Sequence, residues 1–213
     1  NNTAVGKSAL EANTTGTQQV AVGSLALDAN TTGSFNTALG YETLGANTTG
    51  TDNTAVGTSA LKSNTTGQYN TAVGVASLQD NTASNNTAVG YLTLYQNTTG
   101  AFNTAVGREA LKVNSTAAAN TAIGNQSLNA NTTGQYNTAL GSGALLLNTT
   151  ASENTAVGIN SLVLNTTGAR NTAVGAFSLD ASTTGSNNSA FGREALTKNT
   201  CLLYTSPSPR DRV

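Results

Sequence analysis

Apolar residues recur along this chain at one fixed phase. A small residue, an apolar residue and a glycine close together at Gly6, Gly23, Gly40, Gly57, Gly74, Gly90, Gly107, Gly124, Gly141, Gly158, Gly175 and Gly192. Ten of the eleven intervals are 17 residues, and the interval from Gly74 to Gly90 is 16. Ala stands two residues before every one of these glycines, and Leu stands four residues after, from Leu10 to Leu196. The consensus reads N-T-A-V-G-x-x-A-L-x-x-N-T-T-G-x-x. Fixed size marks packed positions, and free variation, as in Lys7-Ser8, Tyr41-Glu42 and Arg108-Glu109, marks solvent.

A period of 17 is too short for two packed helices, and a helix of six residues between Gly and Asn is marginal. The alternation in N-T-A-V-G fits a strand. Gly and the Asn-Thr-Thr-Gly group supply turns. The chain therefore predicts an all-β fold, a β-solenoid or β-roll with one 17-residue repeat per coil and about twelve coils. Each coil is expected to hold one strand around T-A-V-G and a second, short one around x-x-A-L. The Leu residues are expected to form one interior column. The shortened copy lost its residue within Asn81–Asn86, which reads as a turn, since turns tolerate deletion. Alternation also puts Thr and Val on one face and Ala on the other. Thr and Val are expected to face the coil's own core. The Ala strip, including Ala55, Ala72, Ala88 and Ala105, is then expected to meet another copy of the chain, in a homotrimer or a filament. The alternative is that Ala packs inside a flat coil of its own.

Charge and composition remove several functions. Residues 1–200 contain no Cys, Pro, His, Met or Trp, and their charges are scattered singly. No basic stripe is present for nucleic acid, and no apolar run approaches the roughly 18 residues of a membrane span. Without His the commonest general base is missing. The carboxylates sit at variable phases and build no stacked acid pair. Gly141-Ser142-Gly143 is the only G-x-G, and Leu146 occupies the place of a third glycine. No catalytic, cofactor-binding or metal-ligating set emerges, so the chain is read as a non-enzyme that needs no cofactor.

The phrase N-T-A-V-G, with its variants N-T-A-L-G and N-T-A-I-G, resembles the head repeats of trimeric autotransporter adhesins. The longer phrase N-T-A-V-G-x-x-A-L-x-x-N-T-T-G is similar to repeats in tail-fibre-like proteins of phages and environmental bacteria. Both resemblances cover residues 1–200, and 17 residues per coil is longer than those adhesin heads usually use. They imply a left-handed β-roll, three-chain assembly and an extracellular, cell-surface or virion location. A different resemblance governs the end of the chain. Cys-Leu-Leu-Tyr-Thr-Ser-Pro-Ser-Pro-Arg-Asp, from Cys201, is similar to the translation of a transposase-based sequencing adapter. Residues 1–200 are thus expected to be one repeat array cut at both ends, and residues 201–213 a non-native tail.

Two sets of candidate binding residues remain. Asn13, Asn30, Asn47, Asn64, Asn97, Asn114, Asn131, Asn148 and Asn165 each satisfy N-x-S/T, so the column is either a series of glycan acceptors or simply a good turn. The Asn immediately before Thr-Ala lacks that motif in almost every copy and is expected to bond from coil to coil as a ladder. Phe35, Tyr41, Tyr91, Tyr95 and Phe102 are candidate adhesive contacts with a host surface or glycans. The leading expectation is a structural fibre segment for length, stiffness and surface display. Ligand or glycan adhesion is the alternative, followed by ice binding through stacked Thr columns such as Thr14, Thr31, Thr48 and Thr65.

Overall fold

The computed structural model describes residues 1–198, and the expectation for residues 201–213 lies outside them. The chain winds as a β-solenoid. One strand per coil, from β1 (Asn2–Val5) and β2 (Gln19–Val22) through to β12 (Ser189–Phe191), joins a single parallel sheet of twelve strands in sequence order. Pairing is in register: Thr54 meets Thr71, Ala55 meets Ala72 and Val56 meets Val73. The 16-residue copy keeps this register, with Thr71, Ala72 and Val73 opposite Thr87, Ala88 and Val89. The residue missing there comes out of the turn after Asn81, as the sequence predicts.

The strand's two faces are the reverse of the first expectation. Ala21, Ala38, Ala55, Ala72, Ala88, Ala105, Ala122, Ala139, Ala156 and Ala173 are fully buried inside their own coils. Val20, Leu39, Val73, Val89, Val106 and Ile123 point outward at 36–46% exposure. The reason is width. The interior of so short a coil must also hold a Leu, a second small residue and two asparagines, so the strand can contribute only a methyl group there. The Ala strip is core, as in the alternative reading, and is not available to a partner.

The Leu column is where the sequence puts it. Leu27, Leu44, Leu61, Leu78, Leu94, Leu111, Leu128, Leu145, Leu162 and Leu179 are all fully buried, with Leu10 and Leu196 packed against the ends. The second strand around x-x-A-L does not form among the described residues. A turn replaces it, closed by bonds such as Ala60 N–H to the Gly57 carbonyl at 3.2 Å. Every one of these Leu residues has φ between 49° and 55°. The residue two places earlier is left-handed as well, as at Leu25, Glu42 and Glu109, at φ 53–58°. Left-handed backbone is costly for side chains with a Cβ and persists where surrounding structure over-determines it. Here the bonds to both neighbouring coils do so: Leu61 N–H donates to the Ser77 carbonyl at 3.0 Å and Ser59 N–H to the Tyr41 carbonyl at 2.9 Å. Gly143 occupies this left-handed place in its coil, at φ 67°. That accounts for Gly141-Ser142-Gly143 as turn chemistry.

Candidate functional site

Two asparagine columns run through the core beside the Leu column. In the first, the Asn of each N-T-T-G turn donates from Nδ2 to the Oδ1 of the equivalent Asn one coil back. Asn30 donates to Asn13, Asn47 to Asn30 and Asn64 to Asn47, at 2.8–3.0 Å. The same Nδ2 also donates to a carbonyl in its own turn, as from Asn47 to Gly50 at 3.1 Å. In the second column, the Asn before Thr-Ala accepts on Oδ1 from the next coil's backbone N–H, as Asn36 does from Asn53 at 3.1 Å and Asn53 from Asn70 at 3.0 Å. Its Nδ2 reaches the same turn carbonyl from the other side: Asn36 donates to Gly50 at 2.8 Å. The two columns thus converge on one oxygen per coil, and the ladder read from the sequence for the second column is present.

This geometry corrects the glycan-acceptor reading. Asn30, Asn47, Asn64, Asn97, Asn114, Asn131, Asn148 and Asn165 are fully buried. An amide nitrogen has two hydrogens, and in Asn47, Asn114 and Asn131 both are committed, to an Oδ1 and to a carbonyl. A sugar would displace one of them and has no room. Asn13, in the first coil, is half-buried and donates to the Gly16 carbonyl at 3.0 Å while accepting from Asn30. The N-x-S/T match arises because the turn needs Asn and Thr. The first Thr of each turn is occupied too: the Thr14, Thr31 and Thr48 hydroxyls donate to the carbonyls of Thr31, Thr48 and Thr65 at 2.9–3.1 Å. Hydroxyls spent on the backbone are not free to match a lattice of water, which counts against ice binding through that column.

The turn column has two breaks. In the shortened coil Asn81 donates to Ala83, and the Oδ1 of Asn64 is left buried without a partner. Ser182 stands where an Asn is expected, and both its Oγ and the Oδ1 of Asn165 are buried and unpaired. Replacing Ser182 by Asn supplies the missing donor. The expected result is a gain of about 1 kcal/mol, seen as a higher urea midpoint. An unchanged or lower midpoint would show that the ladder does not carry stability at this end.

The candidate adhesive residues do not gather into one patch. Tyr41 and Tyr91 share the phase just after the strand glycine, three coils apart, each 49% exposed. Tyr95 is half-buried, its hydroxyl accepting from the Gln79 side-chain amide at 3.3 Å. Phe35 and Phe102 share another phase, immediately before the strand Asn. Tyr69 and Tyr136, which the sequence reading passed over, stand at that same phase. Their exposures are 55% and 66% for the two Phe, 59% and 63% for the two Tyr. The signal was legible once the repeats are aligned coil by coil.

Charge gathers only locally. Around Gly45, which lacks the side chain carried at this phase by Asp28 and Lys62, a shallow cleft opens between Leu25, Asp28, Glu42 and Lys62. The Lys62 ammonium at 2.7 Å, and then the Tyr41 hydroxyl donating at 2.9 Å, hold the Glu42 carboxyl below its ordinary value. Glu42 in turn raises both Tyr41 and Lys62. Glu109 is lowered chiefly by the Gln126 amide, which donates at 2.9 Å, with Lys112 and Arg108 beside it. These are surface pairs, and pairs of this kind contribute little to stability. Among the described residues no group of three or more His, Cys, Asp or Glu is placed to hold a metal ion, and no helix is long and apolar enough to cross a membrane. The chain matches no protein-family model, no curated protein and no solved structure.

Proposed function

We propose that this chain is a structural repeat segment of an extracellular or virion fibre, whose work is length, stiffness and display, without catalysis. One observation carries the reading: the recurrent Ala, Leu, Asn and strand Gly residues are all spent on the stack. The Ala, Leu and both Asn columns are buried from coil to coil, and the strand glycines lie under the next coil's backbone. The variable phases, the exposed second Thr of the turns and the outward strand face are left to meet other molecules.

Self-association belongs to this proposal, on a different face from the Ala strip. The outward face of the sheet carries Thr and an aliphatic residue in nearly every coil, and Leu39, Val73, Val89, Val106 and Ile123 are each more than a third exposed. A long flat strip of this kind is what a second and third copy bury. Placing charge on it, with Val89→Lys and Val106→Lys together, is expected to shift the chain from oligomer to monomer in sedimentation while the circular dichroism stays that of a β-solenoid. A wild-type chain that sediments as a monomer at high concentration, or an oligomer indifferent to both lysines, would refute the assembly. A second reading, adhesion to glycans, is favoured by the aromatic column that holds Phe35 and Phe102.

A further inference from the structure

The phase immediately before the strand Asn follows a rule of its own. From Phe35 onward it holds Phe35, Asp52, Tyr69, Asn85, Phe102, Ala119 and Tyr136. Rings alternate with short side chains, one ring on every second coil. All seven residues share one backbone conformation, with φ from 57° to 62°. They are tied to their neighbours by the same bond, as from Tyr69 N–H to the Thr51 carbonyl at 3.3 Å and from Ala119 N–H to the Ala101 carbonyl at 3.0 Å. Equal backbone at equal phase makes the four rings a single file along the rod. Each ring is more than half exposed. The file ends beyond Tyr136, where Glu153 and Arg170 pair with each other at 3.3 Å.

The spacing selects a ligand. Strands in a sheet lie about 4.8 Å apart, so rings on alternate coils recur roughly every 9.6 Å, and the file of four spans about 29 Å. In a β-1,4-linked glucan or N-acetylglucosamine polymer each ring is turned over relative to the last. Equivalent faces therefore recur at every second sugar, and one sugar advances the chain by about one strand spacing. The C–H face of a pyranose is electropositive and stacks on the negative face of an aromatic ring. Hydroxyl partners flank the file: Thr32, Thr66, Thr99 and Thr133 stand three residues before the four rings and are exposed, and Asp52 and Asn85 lie between rings. The Asp52 carboxylate disfavours an anionic polymer such as single-stranded nucleic acid.

We infer that Phe35, Tyr69, Phe102 and Tyr136 form a linear platform for one extended, uncharged β-1,4-linked polysaccharide strand lying along the solenoid axis. This names the ligand class of the adhesive reading and rests on it. The file adjoins the outward sheet face without using its Val and Leu column.

The test uses the full chain, calorimetry with cellohexaose and chitohexaose, and retention on microcrystalline cellulose. A broad array of α-linked, branched and sialylated glycans is run in parallel. Binding of at least one β-1,4 hexamer is expected, weakened about tenfold for each ring lost in Tyr69→Ala and Phe102→Ala. The decisive variant is Asp52→Tyr with Tyr69→Asp. It keeps four rings but moves one by a single coil, and it is expected to lose as much as Tyr69→Ala. Equal binding by that variant would overturn the spacing argument. Aromatic-dependent binding only to α-linked or branched glycans would overturn the platform and leave the adhesive reading standing. No glycan binding at all would overturn both. Loss of self-association in Phe102→Ala without any glycan present would assign the file to a second copy instead, and refute the inference.

Discussion

Asn131→Leu is expected to destabilise the array by about 3–5 kcal/mol, because it strands buried partners on both sides. Asn131 donates to Asn114 Oδ1 at 3.0 Å and to the Gly134 carbonyl at 2.9 Å, and it accepts from Asn148 Nδ2 at 2.9 Å. The Gly134 carbonyl keeps a second donor in Asn120. Asn114 Oδ1 and one Asn148 N–H do not, and each orphaned group costs about 1–3 kcal/mol. The leucine side chain has as many heavy atoms with the same branching and is no smaller, so the loss does not report a cavity. Thr133→Ala, at an exposed place two residues on, is expected to change stability by no more than about 0.5 kcal/mol. Urea denaturation of the three chains separates these effects. A penalty below 1 kcal/mol for Asn131→Leu would mean that the amide column is ornament to the fold.

Gly124→Ala is expected to cost about 4 kcal/mol, from two sources. Gly124 has φ +135°, a region that residues with a Cβ avoid at about 1–3 kcal/mol. A Cβ there would also lie 2.5 Å from the Gly141 carbonyl carbon and oxygen in the next coil. Relieving such overpacking costs a further 1–3 kcal/mol or so. The same feature recurs at Gly57, Gly107 and Gly158, each at φ +130° under the next coil's glycine. Gly134 is the control. Its added Cβ would also approach a carbonyl, that of Ala151, but Ala117 and Ala151 themselves stand at this phase in their own coils. The turn therefore has a way to accommodate alanine, and Gly134→Ala is expected to cost under 1.5 kcal/mol or so. Equal penalties at the two glycines would contradict this account of the strand glycine.

The period, the strand around T-A-V-G, the Leu column, the turn at Asn81–Asn86 and the ladder before Thr-Ala were all legible in the sequence, because each follows from side-chain size or turn chemistry repeated at one phase; the second strand expected around x-x-A-L is a turn instead. The direction of the strand's faces was not. Alternation tells which residues share a face and is silent on which face is inside; only the width of a 17-residue coil decides that Ala55 goes in and Val56 out. The left-handed backbone at Leu61 and Ser59 was invisible for another reason, since these residues carry no local preference for it and the neighbouring coils impose it. The turn Asn column misled because one motif, Asn-Thr-Thr, serves both a glycan acceptor and a buried bridge, and exposure alone separates them. Of the candidate contacts, Phe35 and Phe102 fall in line with Tyr69 and Tyr136, while Tyr41, Tyr91 and Tyr95 lie elsewhere. That sorting needs the coil-by-coil alignment.

Apart from its two breaks, the turn amide column donates in one direction. From Asn30 to Asn13, from Asn114 to Asn97 and from Asn165 to Asn148, the N–H always points toward the earlier coil and the C=O toward the later one. Side-chain amides aligned in this way polarise one another along the file. The rod therefore has an electrical polarity of its own, separate from any charged residue. Through these amides each coil presents donors to the coil before it and acceptors to the coil after it. At this column coils or rods meeting end to end join amide donor to amide acceptor, and a reversed coil would set acceptor against acceptor.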